Sequence, residues 1–285
     1  MARRKAKKKM KFRFGKPQFL LLLAAILVFT AFRNTDYLQH LGDKILSFLP
    51  APDAGFSEKP KLVFVIDDIG YHLEHEKLMA SLGDDVVYAI LPLLPYSKHF
   101  GNLSKKTGAD VILHLPLETQ DGTIPGRGLI TRQMDPARVR EMLASNLKSV
   151  PNHIGANNHM GSLGTSDPAL MRVILGEFKK KKLLFLDSYT SNDSVISSVG
   201  REIGMNVLVR DVFLDNVDAK PAIREQIRKL KAAARSKGYA IGIGHYRHNT
   251  LSVLKEDIPE MRKEGFEILT LKQMSRFIKS KKKKS

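Results

Sequence analysis

The chain has 285 residues, enough for one large α/β domain, and its 43% apolar and 27% charged content is that of a folded protein rather than a disordered one. The net charge of +18 sits mainly at the ends: nine Lys or Arg lie between residues 3 and 16 and five between 279 and 284, which leaves +4 for the rest. A domain so mildly basic argues against nucleic-acid binding, which needs its cations on the folded surface, and a chain without cysteine cannot rest on disulfides.

The first element is a leader. Residues 1–16 are basic, and residues 19–32 (FLLLLAAILVFTAF) form a fourteen-residue apolar run closed by Arg33, the order of an export signal. The run is shorter than the roughly 17–25 residues of a spanning helix, but Lys16 and Arg33 can snorkel and no clear small-x-small cleavage site follows. We expect residues 1–33 to be an uncleaved inner-membrane anchor, with a cleaved signal peptide as the alternative. The positive-inside rule then places the remainder in the periplasm or outside the cell. Residues 34–60 read as a juxtamembrane linker, 61–278 as the folded domain and 279–285 as a solvated basic tail.

After Pro60, eight short apolar runs alternate with amphipathic stretches: 62–66, 86–91, 111–115, 153–157, 183–186, 206–210, 239–244 and 267–271. Helix starts are marked by Asp135 before Pro136, by Asp167 before Pro168, and by Asn249 or Thr250 before Leu251. Such alternation predicts parallel strands with right-handed crossovers, and runs as apolar as LVFVI predict a sheet covered on both faces. The expected fold is an α/β, irregular (β/α) barrel of seven or eight parallel strands.

Polar residues fall where these runs end. Asp67 and Asp68 follow the first, His114 lies in the third, Asn157 to His159 close the fourth, Asp187 the fifth, Arg210 and Asp211 the sixth, and His245 the seventh. Carboxyl ends of parallel strands converge on one face, where active sites are built. Any one of these residues has a bland explanation, such as a turn-capping Asp or a core His. Their recurrence at strand after strand points to a site. A carboxylate with two imidazoles suits Zn2+ or a related divalent ion, with positions left open for water and substrate.

The segments VFVIDDIGY, AILPLLPYS, LHLPLE, TIPGRGLIT, GANNHMGS, FLDSYTS and GYAIGIGHYRHNTL, in this order over about residues 60–275, resemble the divergent polysaccharide deacetylase family of bacterial envelopes. The resemblance implies a deformed (β/α) barrel related to the metal-dependent deacetylases of chitin and peptidoglycan. It makes Asp67 the catalytic base and Asp68 a metal ligand. The relatives' second motif is His-x-x-x-His, both ligands, whereas here His114 is followed four residues later by Glu118. Either Glu118 replaces the second imidazole or His159 supplies it, and we favour His159 because it ends its own strand. The relatives' Leu-x-His is matched by Ile243, Gly244 and His245, which makes His245 the general acid, with Arg210 and Asp187 tuning Asp67 and His245.

The activity so implied is removal of acetyl groups, by hydrolysis of an amide or alternatively of an ester, from an acetylated polysaccharide or peptidoglycan-like glycan, with a divalent metal, Zn2+ foremost, as cofactor. The glycine-bearing segment 118–134 is long enough to overhang the site, and Tyr71, Tyr189 and Tyr246 are candidates to stack on sugar rings. The altered second motif keeps open a glycan-binding or scaffold protein on the same fold that does not hydrolyse. A metal-dependent phosphoesterase is a more distant alternative.

Overall fold

The structure, a computed structural model, describes residues 58–284; the expected leader and most of the linker lie outside the described residues. Nine strands form one sheet: β1 (Lys61–Ile69), β2 (Val86–Ile90), β3 (Val111–Leu117), β4 (His153–Met160), β5 (Leu184–Asp187), β6 (Leu208–Val209), β7 (Val212–Phe213), β8 (Tyr239–His245) and β9 (Glu267–Ile268). Eight helices accompany them: α1 (Glu76–Ala80), α2 (Ser97–Thr107), α3 (Pro136–Ser149), α4 (Pro168–Lys180), α5 (Ile196–Glu202), α6 (Lys220–Lys237), α7 (His248–Lys263) and α8 (Leu271–Lys284). The strand order is β6-β5-β4-β3-β2-β1-β8-β7, every pairing is parallel, and β9 adds to β1.

All eight apolar runs contain strands, but the sixth, 206–210, holds only the two-residue β6, which pairs with β5; just beyond that run the equally short β7 pairs with β8. Asp211 turns the chain between them: its N–H donates to Ile241 O (2.8 Å), its carboxylate accepts from Ile241 N (2.8 Å), and Lys237 pairs with it. Arg210 N still donates to Asp187 O on the β5 side (3.0 Å). The expected barrel is therefore a curled sheet whose two end strands are consecutive in the chain, joined by Arg210 and Asp211 rather than by a ladder.

The period of two sorts the side chains into two cores. Inside the curl lie Val63, Val65, Val87, Ile112, Ile241 and Ile243, closed at the amino ends of the strands by Leu271 and Met274 of α8. On the outside Leu62, Phe64, Tyr88, Leu113 and Phe185 pack with the helices, which supply Phe100, Leu143, Ile174 and Phe178. This double burial requires the near-continuous apolar strands. α8 runs on as helix to Lys284, so the lysines expected as a separate tail continue a helix whose first turns plug the curl.

Two of the three helix starts behave as expected. Asp135 Oδ1 accepts from Ala137 N and Arg138 N, and Asp167 Oδ1 accepts from Leu170 N, each with Pro opening the helix. The third does not. α7 begins at His248, one turn early, with no side chain capping it, because Thr250 spends its hydroxyl on Asp215 (2.6 Å). No helix of the described residues is long and apolar enough to cross a membrane.

Candidate metal and catalytic site

Along β1 the inward positions are 63, 65 and 67, so the alternation that builds the interior core aims Asp67 into the mouth of the curl. His114 follows Ile112 in the same way on β3, and His245 follows Ile243 on β8. His114 stands opposite Asn157 in the β3–β4 register, and His159 lies two residues beyond Asn157 on the same face. Asp68 reaches this group by a different route. Its φ of 63° is left-handed, an irregularity within β1 where the pairing with β2 shifts register between Ile66 and Ile69, and it swings the carboxylate back over the mouth.

Three atoms meet there. Asp68 Oδ1 is 3.3 Å from His114 Nε2 and 3.2 Å from His159 Nδ1, and the two imidazole nitrogens are 3.0 Å apart. With metal–ligand bonds of about 2.0–2.1 Å, the edge of a tetrahedral zinc site is roughly 3.3 Å. Asp68 Oδ1 is buried yet has no hydrogen-bond donor aligned on it, an atom left for a cation. Burial pushes the Asp68 carboxyl up, but the two imidazoles outweigh it and hold it far below the ordinary carboxylate range. The donor set of one carboxylate and two imidazoles, and its spacing, fit a divalent metal.

Asn157, fully buried, organises the floor. Its Nδ2 donates to Asp67 Oδ1 (2.9 Å) and to Ser188 Oγ (3.0 Å), so its Oδ1 is left to accept from His114 Nδ1 (2.9 Å). That fixes the His114 tautomer: with the proton on Nδ1, the lone pair of Nε2 faces Asp68 and His159, as a ligand's must. Asp67 is also buried, 3.5 Å from His114 Nε2. Burial raises its carboxyl above the ordinary range, against the pull of His114 and His245. A carboxylate so raised is better matched to taking a proton near neutral pH.

His245 is held by a residue that the sequence reading missed. Asp215, fully buried two residues past β7, lies 2.7 Å from His245 Nδ1 through one oxygen, while the other accepts from His245 N (2.7 Å) and Thr250 Oγ1 (2.6 Å). Gly244 makes room for this arrangement, since a Cβ there would stand 2.8 Å from Thr250 Cγ2. Burial lowers the His245 pKa, but Asp215 reverses this and Asp67 and Asp68 add to the rise. Burial likewise pushes Asp215 up, and His245 returns it below the ordinary value. The pair favours an imidazolium whose transferable proton is on Nε2.

The remaining expectations fare unequally. Glu118 is not in the three-ligand cluster; its carboxylate accepts from Arg132 N (3.0 Å), and its backbone bonds to Ile130 (3.2 Å), bracing the segment after β3. Asp187 has the parity of Phe185, away from the interior, and accepts from Tyr189 N and Ser194 Oγ (both 2.8 Å), so it orders the loop after β5 instead of touching Asp67 or His245. Arg210 donates to Ser188 O (2.6 Å) and Tyr189 O (2.9 Å) and lies 3.7 Å over the Phe213 ring, which stacks in turn on His245. It reaches His245 through an aromatic ring. Tyr71 and Tyr189 are exposed, but Tyr246 is buried with its hydroxyl accepting from His75 N (3.1 Å) and cannot stack on a sugar.

Residues 64–275 match the family described as divergent polysaccharide deacetylase. The chain belongs to this family. An uncharacterised protein of Haemophilus influenzae is 34% identical to it over 203 residues, 70% of this chain and 72% of that one. The protein YibQ of Escherichia coli is 30% identical over 196 residues, 69% of this chain and 61% of that one. A crystal structure of an uncharacterised protein from Agrobacterium tumefaciens superposes with a TM-score of 0.73 at 19% identity, over 76% of this chain and 90% of that chain, a likeness of fold.

Proposed function

We propose that this member of the divergent polysaccharide deacetylase family is a metal-dependent hydrolase that removes acetyl groups from an envelope glycan. The observation that carries the reading is the convergence of Asp68 Oδ1, His114 Nε2 and His159 Nδ1 to within 3.0–3.3 Å of one another, beside a buried carboxylate and an acid-paired histidine. Asp68, His114 and His159 would hold the ion. A divalent metal bound there supplies Lewis acidity to an acyl oxygen and lowers the pKa of water.

The chain's own residues supply the proton transfers. Asp67, held by Asn157 and raised by burial, takes the proton from the attacking water. His245, charged by Asp215, delivers a proton from Nε2 to the departing amine nitrogen, which is too basic to leave unprotonated. Asn157 keeps Asp67 and His114 in register, and Arg210 with Phe213 forms the wall against which the His245 ring lies. The exposed rings of Tyr71 and Tyr189 stand past the ends of β1 and β5, where a sugar could stack.

The deciding experiment is metal analysis of the purified protein coupled to acetate release from a panel of acetylated envelope glycans. Stoichiometric metal with acetate release supports the proposal. Metal bound with no release on any glycan would favour the binding-protein alternative. We further propose, from residues 1–33, that the domain lies outside the cytoplasm behind a membrane anchor. Protease added to spheroplasts should digest it, and protection would overturn that topology.

A further inference from the structure

A cleft of about 650 Å3 opens beside the candidate site, lined by the loop after β2 (Leu93, Leu94, Pro95, Lys98), by Arg127 and Gly128 of the loop after β3, and by Met142 and Ser149 of α3. One of its walls abuts the turn that leads out of the site. β2 lies between β1, which carries the aspartate pair, and β3, which carries His114. Tyr96 N donates to Gly70 O (3.1 Å), and a Cβ on Gly70 would meet Leu94 and Ser97 at 3.3–3.4 Å, so the cleft's loop packs on the turn that follows Asp68. Tyr71 Oη stands 3.6 Å from where a Cβ of Gly126 would be, next to Arg127.

The cleft is built rather than incidental. Leu93 is held in the left-handed region, at φ 57°, a strained backbone for a bulky residue, and its side chain is left 36% exposed. Two buried serines hold that shape: Leu93 N donates to Ser149 Oγ (3.1 Å) and Leu94 N to Ser97 Oγ (3.0 Å). The opposite wall is as constrained. Gly128, φ 78°, could not carry a Cβ, which would fall 2.2 Å from Asn146 Oδ1, and Asn146 Nδ2 holds Gly128 O at 2.7 Å.

Over this apolar floor stand two cations, Lys98 and Arg127. Neither forms an ion pair among the described residues, whereas most cations of the outer helices do: Arg172 with Glu202, Lys220 and Arg224 with Glu256, Arg262 with Asp85. His99, beside Lys98, takes the nearby Glu76 carboxylate at 3.0 Å. The floor of Leu93, Pro95 and Met142 accepts the apolar face of a ring, and the two cations call for an anionic group on it.

We infer that this cleft is a subsite for a sugar unit bearing an anionic substituent, so that the glycan acted on is acidic rather than neutral. The inference rests on the glycan reading of the neighbouring site. Its test reads binding and hydrolysis separately. Binding of a hyaluronan oligosaccharide, which carries carboxylates, and of a neutral chito-oligosaccharide of the same length is measured by calorimetry on the full chain at low and high salt. Acetate release from both is followed in parallel.

The acidic oligosaccharide should bind roughly tenfold more tightly, the size of effect two partly exposed charge contacts give, and the preference should shrink as salt rises. Lys98→Gln with Arg127→Gln should abolish the preference, while Lys98→Arg with Arg127→Lys keeps it. Equal binding of the two sugars by the wild type, or a preference that survives the double Gln variant, overturns the subsite. A preference without acetate release from either sugar leaves the subsite standing and counts against the hydrolase.

Discussion

His245 Nδ1 and Asp215 Oδ1 lie 2.7 Å apart, the carboxylate fully buried and the imidazole partly open to the mouth of the curl. Asp215 thereby sets the charge of the proposed acid. With the His245 pKa raised by Asp215 against the effect of burial, the protonated form persists to higher pH than that of an ordinary imidazole, and activity should fall as pH rises through that pKa. Asp215→Asn removes the anion, lowers the His245 pKa and should move the alkaline limb of kcat/KM to lower pH. An NMR titration of the His245 ring checks the same shift without any substrate. An unmoved ring pKa would mean that Asp215 is only a packing partner.

Metal binding and proton transfer should separate by residue. Asp68→Ala, His114→Ala and His159→Ala each leave two protein ligands and should lose stoichiometric metal, read by mass spectrometry after gel filtration. Glu118→Ala should keep it, since its carboxylate is engaged by Arg132 N. The opposite pattern, with Glu118→Ala losing metal and His159→Ala retaining it, would overturn the ligand set.

Asp67→Asn and His245→Ala should retain metal and lose acetate release by about 10²–10⁴-fold, the contribution of a positioned base or acid. Full activity of Asp67→Asn would remove the base from the mechanism.

Asn157→Ala should weaken metal retention or activity by about 10–100-fold although Asn157 is not a proposed ligand, because it leaves Asp67 without a donor and frees the His114 ring to take the wrong tautomer. Competition with a chelator gives the affinity, and an unchanged value with unchanged turnover would show that the ring is fixed by packing alone.

Two glycine substitutions should act in opposite directions on stability. A Cβ on Gly155 would stand 2.4 Å from Leu184 O, a backbone atom of the paired strand β5, so Gly155→Ala should cost about 1–3 kcal/mol. Gly176, inside α4, has nothing within 4 Å of that position, and Gly176→Ala should stabilise by about 0.5–1 kcal/mol through helix propensity. Thermal unfolding midpoints decide both.

The strands were legible because a sheet buried on both faces forces near-continuous apolar runs, and the ends of those runs led to Asp67, Asp68, His114, His159 and His245. What failed was finer. Strand parity separates Ser188, which meets Asn157, from Asp187, which does not, yet proximity to a strand end had selected Asp187. Asp215 carries no sequence signal because the strand before it is only two residues long and has no periodic pattern. Tyr246, next to His245 and a candidate for stacking on a sugar, is turned by the alternation into the helix-side core. The left-handed turn at Asp68, which lets an outward position serve the mouth, is a backbone choice that no side-chain pattern announces.

The seam between β6 and β7 has a mechanical consequence. In a ladder-closed cylinder, neighbouring staves can slide or part at the cost of a few hydrogen bonds. Here the ends of the sheet are clasped by the covalent chain from Val209 to Val212, which extends at most about 10 Å. The aperture on that side is thus a tether of fixed length. Arg210 sits at its midpoint, stacked on the ring that backs His245, so any widening of the rim must pull on the support of the proposed acid. Any widening of the rim is then left to the loops after β1, β2 and β3, with the clasp as the rigid jaw.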